Sequence, residues 1–220
     1  MNAYQIQIAI KNSFIDCSPW LEIINQWIQN NIDYLEKHNF DDAAYWHNEM
    51  ANISCLSGAI WKLGGVAVCE YTIDKDTCKN GKLTQGEDLN GRADLYFMME
   101  KKRYLVEAKY IRAKTIENGN IQNAMHTALK NCQHCRENGL DHKMAMVFAA
   151  PNTQHNKIDF NNENLNYDIK VMLKVNAKKK PQYKCETYDC VYLFGQHLNN
   201  SESAECKGSK SQSPLNNPAV

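Results

Sequence analysis

Residues 91–110, with the sequence GRADLYFMMEKKRYLVEAKY, constrain the fold more than any other part of the chain. Two apolar runs flank the polar cluster EKKR at 100–103, which predicts two antiparallel strands joined by a turn. Asp94 lies at the start of the first predicted strand, and Glu107 and Lys109 lie two residues apart on one face of the second. Burying carboxylates in an apolar hairpin is costly without compensating charges, so the pattern indicates a functional site.

Composition favours a single α/β domain, because 220 residues with 43% hydrophobic content suffice for one substantial core. Lys+Arg and Asp+Glu number 25 each, which excludes a polycation that coats nucleic acid indiscriminately. Residues 1–60 carry two basic and seven acidic side chains, so an anionic partner is expected to bind the later part of the chain. With no apolar run of membrane-spanning length and no signal-peptide pattern, we expect a cytoplasmic protein without a membrane partner.

Apolar periodicity predicts the elements that precede the hairpin. Residues 4–15 fit both a strand and a helix, and we favour the helix. Ser18-Pro19 begins an amphipathic helix, and a second helix begins near Asp41-Asp42 and ends at Gly64-Gly65. A strand at 66–73 and a polar loop at 74–90 follow.

After the hairpin, the sequence predicts a helix over 120–137 and a strand over 142–150 that is covered on both faces. The remaining predictions are an Asn-rich loop at 152–165, a short helix at 167–175, a basic turn at 178–181, a last strand at 190–194 and a disordered tail from 199. We therefore predict one domain over 1–198, with a helical extension at 1–40, a catalytic core at 41–150 and its completion at 151–198.

Residues 49–150 resemble the PD-(D/E)XK nuclease superfamily, whose fold is restriction-endonuclease-like. The resemblance rests on Asp94, thirteen residues before Glu107, and on Glu107-Ala108-Lys109 as the E-x-K element. Residues 91–94 look like the G-x-x-D form of the exonuclease-type branch, and Glu49 stands where many members carry a helix glutamate. The resemblance implies a mixed central β-sheet flanked by helices, in αβββαβ order, with an added N-terminal helical segment.

The following helix adds a weaker point of resemblance. Gln122 lies where the exonuclease-type branch has Q-x-x-x-Y, although His126 replaces the tyrosine and Ala93 precedes Asp94 in place of proline. Candidate substrate-binding residues are Gln122, His126, Arg92 and Arg112. Basic side chains such as Arg112 either track a phosphate backbone or are ordinary solvated charge.

The chemistry of phosphodiester hydrolysis explains why these residue types occur together. Mg²⁺, or Mn²⁺ as a substitute, neutralises phosphoryl oxygens and activates a water, and Asp94 and Glu107 would hold it. Lys109 would orient the water and stabilise developing negative charge. The resemblance implies that the Ala108 carbonyl completes the metal's ligands, and Glu49 would bind a second metal or a metal-bound water. The expected function is a metal-dependent nuclease acting on DNA, of restriction, repair or phage-defence type.

Several alternatives remain open in the sequence. Asp94, Glu107 and Lys109 also fit an exposed salt-bridge ladder, and Glu49 also fits a solvated helix position. A nuclease-fold protein that binds nucleic acid or a protein partner without cutting is the alternative function. The apolar stripe in the first sixty residues serves either core packing or a homodimer surface.

The nine cysteines form a separate question. Cys132 and Cys135 have the C-x-x-C spacing of a metal site, and Cys185 with Cys190 offers a second pair. Reduced, buried thiols are the favoured interpretation, because a cytosolic chain of this length does not need disulfides.

Overall fold

The computed structural model describes residues 3–12, 19–75, 77–79, 82–84, 90–113, 116–137, 139–152, 156–176, 182–183 and 186–198. Three α-helices lie among these residues: α1 (Trp20–Lys37), α2 (Glu49–Lys62) and α3 (Asn118–His134). The strands are β1 (Tyr4–Ile10), β2 (Val66–Lys75), β3 (Thr77–Lys79), β4 (Lys82–Thr84), β5 (Asn90–Met99), β6 (Lys102–Ala113), β7 (Ile116–Glu117), β8 (Cys135–Arg136), β9 (His142–Pro151), β10 (Asn156–Lys157), β11 (Ile169–Val175), β12 (Gln182–Tyr183), β13 (Glu186–Thr187) and β14 (Cys190–His197).

An eight-stranded mixed sheet in the order β1-β11-β14-β9-β6-β5-β2-β8 forms the centre of the fold. Strand β6 runs parallel to β9, and the chain reaches β9 through α3, as a parallel pair requires a crossover. The other neighbours in this sheet are antiparallel. The predicted mixed α/β architecture is therefore confirmed.

Helices cover both faces of the sheet. The amphipathic helix α1 buries Trp20 and Trp27, and Trp20 packs edge-on against Phe97 of β5 at a ring-centroid distance of 5.5 Å. Helix α2 buries its apolar residues in the same cluster, whereas α3 packs with β9 and β14 in a second cluster on the opposite face. Both faces of β9 are thus removed from water, which explains its nearly continuous apolar sequence.

Helix α2 is placed by local signals at its two ends. The side chain of Asn48 accepts a hydrogen bond of 2.8 Å from the N–H of Ala51, which satisfies one of the free donors of the first turn. At the other end Gly64 adopts φ +84, the left-handed conformation that commonly ends helices. Glu49 is therefore the first residue of the helix.

Several predicted elements are confirmed, with shifted boundaries. The hairpin turns at Glu100-Lys101, β5 extends back to Asn90, and β2, β9 and β14 are strands as expected. The predicted helix over 120–137 spans Asn118–His134 instead, so its last residues belong to β8. The helix expected from Asp41-Asp42 begins only at Glu49, after a 3-10 helix at Ala44–Trp46.

Two predictions of helix are wrong. Residues 4–10 form β1, an edge strand that pairs with β11 from Tyr4↔Val175 to Ile10↔Ile169. Strand β11 itself replaces the short helix expected over 167–175 and also pairs with β14. In both segments the pairing with a strand distant in sequence outweighs a short apolar pattern that fits either element.

Parts of the predicted loops contain short strands, namely β3 and β4 within 74–90 and β10 within 152–165. The basic turn at 178–181 and the tail from 199 lie outside the described residues. Within the described part of the chain, no helix combines the length and apolar character needed to cross a membrane.

Candidate active site

The carboxylate of Asp94 is fixed to the neighbouring strand by a backbone hydrogen bond. The β5–β6 ladder runs from Met99↔Lys102 to Leu95↔Val106, and Asp94 is the next residue of β5. At this position the hydrogen-bond acceptor is a side chain and not a backbone carbonyl. The Oδ2 of Asp94 accepts a hydrogen bond of 2.6 Å from the N–H of Ala108. A partly buried carboxylate is thereby held beside Glu107 and Lys109.

Strand β2 is irregular at the same level of the sheet. Its register with β5 includes Cys69↔Leu95 and Tyr71↔Ala93, but the intervening Glu70 has φ +53, a left-handed conformation that is unfavourable for a residue with a side chain. Strained backbone positions of this kind are concentrated at functional sites.

Glu107 is buried, with only 2% of its surface exposed, and its charge is balanced by a lysine from β2. The Nζ of Lys75 lies 2.7 Å from Oε1 of Glu107, and the thiol of Cys135 donates to the same oxygen at 3.3 Å. Burial alone would lower the pKa of Lys75, but the hydrogen bond and charge of Glu107 outweigh it and raise that pKa. The pair therefore satisfies the requirement that buried charges be compensated.

Lys109 links β6 to the beginning of α2. Its Nζ lies 3.6 Å from Oε2 of Glu49 and also donates to the carbonyl oxygen of Ala108. Both side chains of the ion pair are about one-third exposed, at 29% and 34%. The position of Glu49 at the start of the helix follows from the Asn48 cap, so the cap brings a third carboxylate to the hairpin.

The electrostatics show that the four charged side chains form one group. The pKa of Asp94 is raised to about 6, chiefly by burial, with smaller contributions from the charges of Glu107 and Glu49, while the N–H of Ala108 and the charge of Lys109 oppose the shift. With Lys75 included, the group holds three carboxylates and two ammonium groups, so acidic side chains exceed basic ones by one.

The donor chemistry suits a hard divalent cation, but lysines compete with it. Carboxylate oxygens of Asp94 and Glu107 and the carbonyl of Ala108 are the oxygen ligands that Mg²⁺ prefers. In the structure, Lys75 bonds to Glu107, and Lys109 bonds to the Ala108 carbonyl. Across the residues that the structure describes, no three His, Cys, Asp or Glu side chains are arranged to hold a metal ion. Metal binding thus requires these ammonium groups to move.

The four predicted substrate-binding residues are exposed and have varied contacts. Gln122 donates to the carbonyl of Asn164 at 3.3 Å, and His126 lies on the exposed side of α3. Arg92 pairs with Glu70 at 3.3 Å. Arg112 donates to the carbonyl of Trp46 at 2.7 Å, and Trp46 lies three residues before Glu49. Arg112 is thereby tied to the segment that leads into the site.

The described cysteines of the predicted metal set are buried thiols. Burial raises the pKa of Cys135 and of Cys190 to about 12, and it also raises the pKa of Cys132. Thiols with raised pKa values stay protonated at neutral pH and are therefore poor metal ligands. Cys185 lies outside the described residues.

Lys75 and Cys135 were missed by sequence reasoning. Lys75 falls in a stretch that the sequence predicts to be a polar loop, and Cys135 belongs to a C-x-x-C that indicates a different kind of site. Their role depends on the pairing of β2 with β8, which places Lys75 directly opposite Cys135. No local pattern in the sequence indicates that pairing.

Comparison with known proteins does not identify a family for this chain. No protein-family model, no curated protein and no solved structure matches it.

Proposed function

We propose that the chain is a Mg²⁺-dependent nuclease that hydrolyses phosphodiester bonds in DNA. The observation that carries the proposal is the hydrogen bond from the Ala108 N–H to Asp94, which holds one carboxylate beside a second, Glu107. Lys109 on the same strand reaches Glu49. Two strands and a helix N-terminus thus contribute a carboxylate, Asp94, and three charged side chains that influence its pKa, namely Glu107, Glu49 and Lys109.

The order of elements supports a restriction-endonuclease-like core. Helix α2 is followed by β2, β5 and β6, then by α3 and β9, which gives αβββαβ when the short strands are set aside. Asp94 and the E-x-K element lie on adjacent strands in the middle of that core. This agrees with the resemblance on which the proposal draws.

Each residue has a distinct role in the proposed reaction. Asp94, Glu107 and the Ala108 carbonyl would hold the metal, which when bound supplies charge neutralisation and an activated water. Lys109 places an ammonium group beside the attacked phosphate, where it stabilises the charge that develops in the transition state. Glu49 gives Lys109 an acidic partner once the ammonium group has left the Ala108 carbonyl. The carboxylate of Glu107 is itself shielded from bulk water, since the residue is only 2% exposed.

The test is cleavage of linear, circular and single-stranded DNA in Mg²⁺ or Mn²⁺. Wild-type protein is compared with Asp94→Ala and Lys109→Ala, and RNA substrates are assayed in parallel. We expect metal-dependent cleavage of DNA that either substitution lowers by about 10²-fold or more. Cleavage that is equal in all three proteins would show that a contaminating enzyme or a different site is responsible.

A specific observation also favours a second candidate, a protein that binds nucleic acid or a protein partner without cutting. Lys75 already neutralises Glu107, and Lys109 already pairs with Glu49, as expected if the carboxylates no longer serve a metal. Calorimetry discriminates the two functions. Affinity for DNA without any uptake of Mg²⁺ or Mn²⁺ would favour the binding protein.

A further inference from the structure

Lys75 is placed at Glu107 by three separate features of the sheet. Its Nζ bonds to Oε1 of Glu107 at 2.7 Å and to the carbonyl of Arg92 at 2.6 Å. The β2–β8 pairing sets Cys135 opposite Lys75, and the Cys135 thiol donates to the same Oε1. Both donors therefore converge on one oxygen of a carboxylate that is 2% exposed.

Gly91 provides the space that this arrangement requires. A Cβ at position 91 would lie 2.6 Å from both Cγ and Cδ of Lys75, well inside van der Waals contact. The stem of Lys75 thus passes directly over the backbone of β5 to reach Glu107. Because Gly91 has no side chain, the stem of Lys75 can cross β5 at this position, and its ammonium group can reach Glu107.

We propose that Lys75 is the resident counter-ion of Glu107 and that its ammonium group must leave Oε1 when the site takes up Mg²⁺. The inference rests on the proposed function, because it concerns the metal of that same site. Lys75 is a positioning residue: it acts on the metal through Glu107. A monovalent cation next to a ligand oxygen repels a divalent ion and occupies an oxygen that the ion requires. Lys75 therefore weakens metal binding and stabilises the metal-free site.

The experiment is calorimetric titration of the full chain with Mg²⁺ and, separately, with Mn²⁺. Lys75→Gln removes the charge and keeps a hydrogen-bond donor, and Lys75→Arg keeps the charge. We expect Lys75→Gln to bind Mg²⁺ roughly tenfold or more tightly than wild type, since charge repulsion at a few ångströms is strong in a partly buried site. Lys75→Arg should stay within about threefold of wild type, because the positive charge is retained.

Gly91→Ala is a second test that leaves Lys75 in the sequence. The new Cβ displaces the lysine stem, so Gly91→Ala should also bind Mg²⁺ more tightly. The matched control is Lys62→Gln, which changes the net charge equally. Lys62 is 53% exposed and lies at the end of α2, about 20 Å from Glu49 at about 1.5 Å per helical residue. The affinity of this control should equal that of wild type.

The outcomes separate the inference from the proposed function. Metal binding by wild type with equal or weaker binding by Lys75→Gln and Gly91→Ala overturns the inference and leaves the nuclease proposal standing. Binding by the variants that exceeds wild type supports the inference, even where wild type binds too weakly to measure. An absence of Mg²⁺ and Mn²⁺ binding in wild type and in both variants overturns both proposals.

Discussion

The N–H of Ala108 donates a hydrogen bond of 2.6 Å to Oδ2 of Asp94, at the point where the β5–β6 ladder ends. A side chain thus takes the place of a backbone acceptor, which fixes the carboxylate without burying it completely. The N–H that donates belongs to Ala108, the residue whose carbonyl accepts from Lys109. Asp94 therefore positions both its own carboxylate and the backbone of the E-x-K element.

The raised pKa of Asp94 predicts how the free energy of unfolding depends on pH when a chelator removes divalent metal ions from the solution. With a folded pKa of about 6 against an ordinary value of 3.8, the carboxyl group of Asp94 binds more protons in the folded state than in the unfolded state between pH 4 and 6. The free energy of unfolding should therefore fall as pH rises through this window, on the order of 1 to 2 kcal/mol after allowance for partial exposure. Urea unfolding at pH 4, 5, 6 and 7 measures the slope.

Asp94→Asn is the control for that slope, because its side chain does not titrate. The variant should lose the part of the pH dependence assigned to Asp94 and should be more stable than wild type at pH 7 without metal. Parallel stability profiles for wild type and Asp94→Asn would mean that another group carries the pH dependence.

Breaking the ion pair between Lys109 and Glu49 should lower the rate of cleavage strongly and the stability of the fold only slightly. Because both side chains are about one-third exposed, breaking the pair by Lys109→Met should cost less than about 1 kcal/mol of unfolding free energy. Cleavage should nevertheless fall about 10²- to 10³-fold, since the lost charge acts on the transition state. Lys157→Met is the matched control, because it breaks an exposed pair with Glu117 at 2.9 Å. Equal losses of cleavage in the two variants would refute the role of Lys109.

Burial should make the thiols of Cys132 and Cys135 unreactive towards alkylating reagents. Both are almost fully buried, and burial raises their pKa values, so little thiolate is present at pH 8. Mass spectrometry after iodoacetamide treatment should show slow labelling of both residues in the native protein and rapid labelling in urea. The half-buried Cys69 serves as an internal comparison. Rapid native labelling of Cys135 would show that the contact between Cys135 and Glu107 opens frequently.

The sequence indicates those residues of the candidate site whose signal is local. Charged residues inside apolar strands identified Asp94, Glu107 and Lys109, because such residues are unusual in a hairpin core. Lys75 was not predictable, since its position depends on a two-residue pairing with β8 and on the space above Gly91. The β1 strand was missed for a related reason. Its pairing partner β11 lies more than 150 residues away, and neither segment alone distinguishes helix from strand.

The hairpin turn gives a prediction about stability that is independent of the site. Glu100 and Lys101 have φ values of 52° and 65°, a left-handed pair typical of two-residue hairpin turns that favour Asn-Gly. A left-handed residue with a side chain costs about 1 kcal/mol, so Lys101→Gly should raise the free energy of unfolding by about that amount. Glu100→Asn should add a smaller gain.

The control for this prediction is Lys102→Gly, one residue further along. Lys102 begins β6 and is not among the left-handed residues, so glycine there should destabilise the protein by about 0.5 to 1 kcal/mol through lost chain entropy. Urea unfolding measures both variants. A higher free energy of unfolding for Lys101→Gly together with a lower one for Lys102→Gly would establish the turn conformation. Cleavage should be unchanged in Lys101→Gly, because five strand residues of about 3.3 Å each separate the turn from Asp94. A loss of stability in Lys101→Gly would mean that the turn does not adopt this conformation in solution.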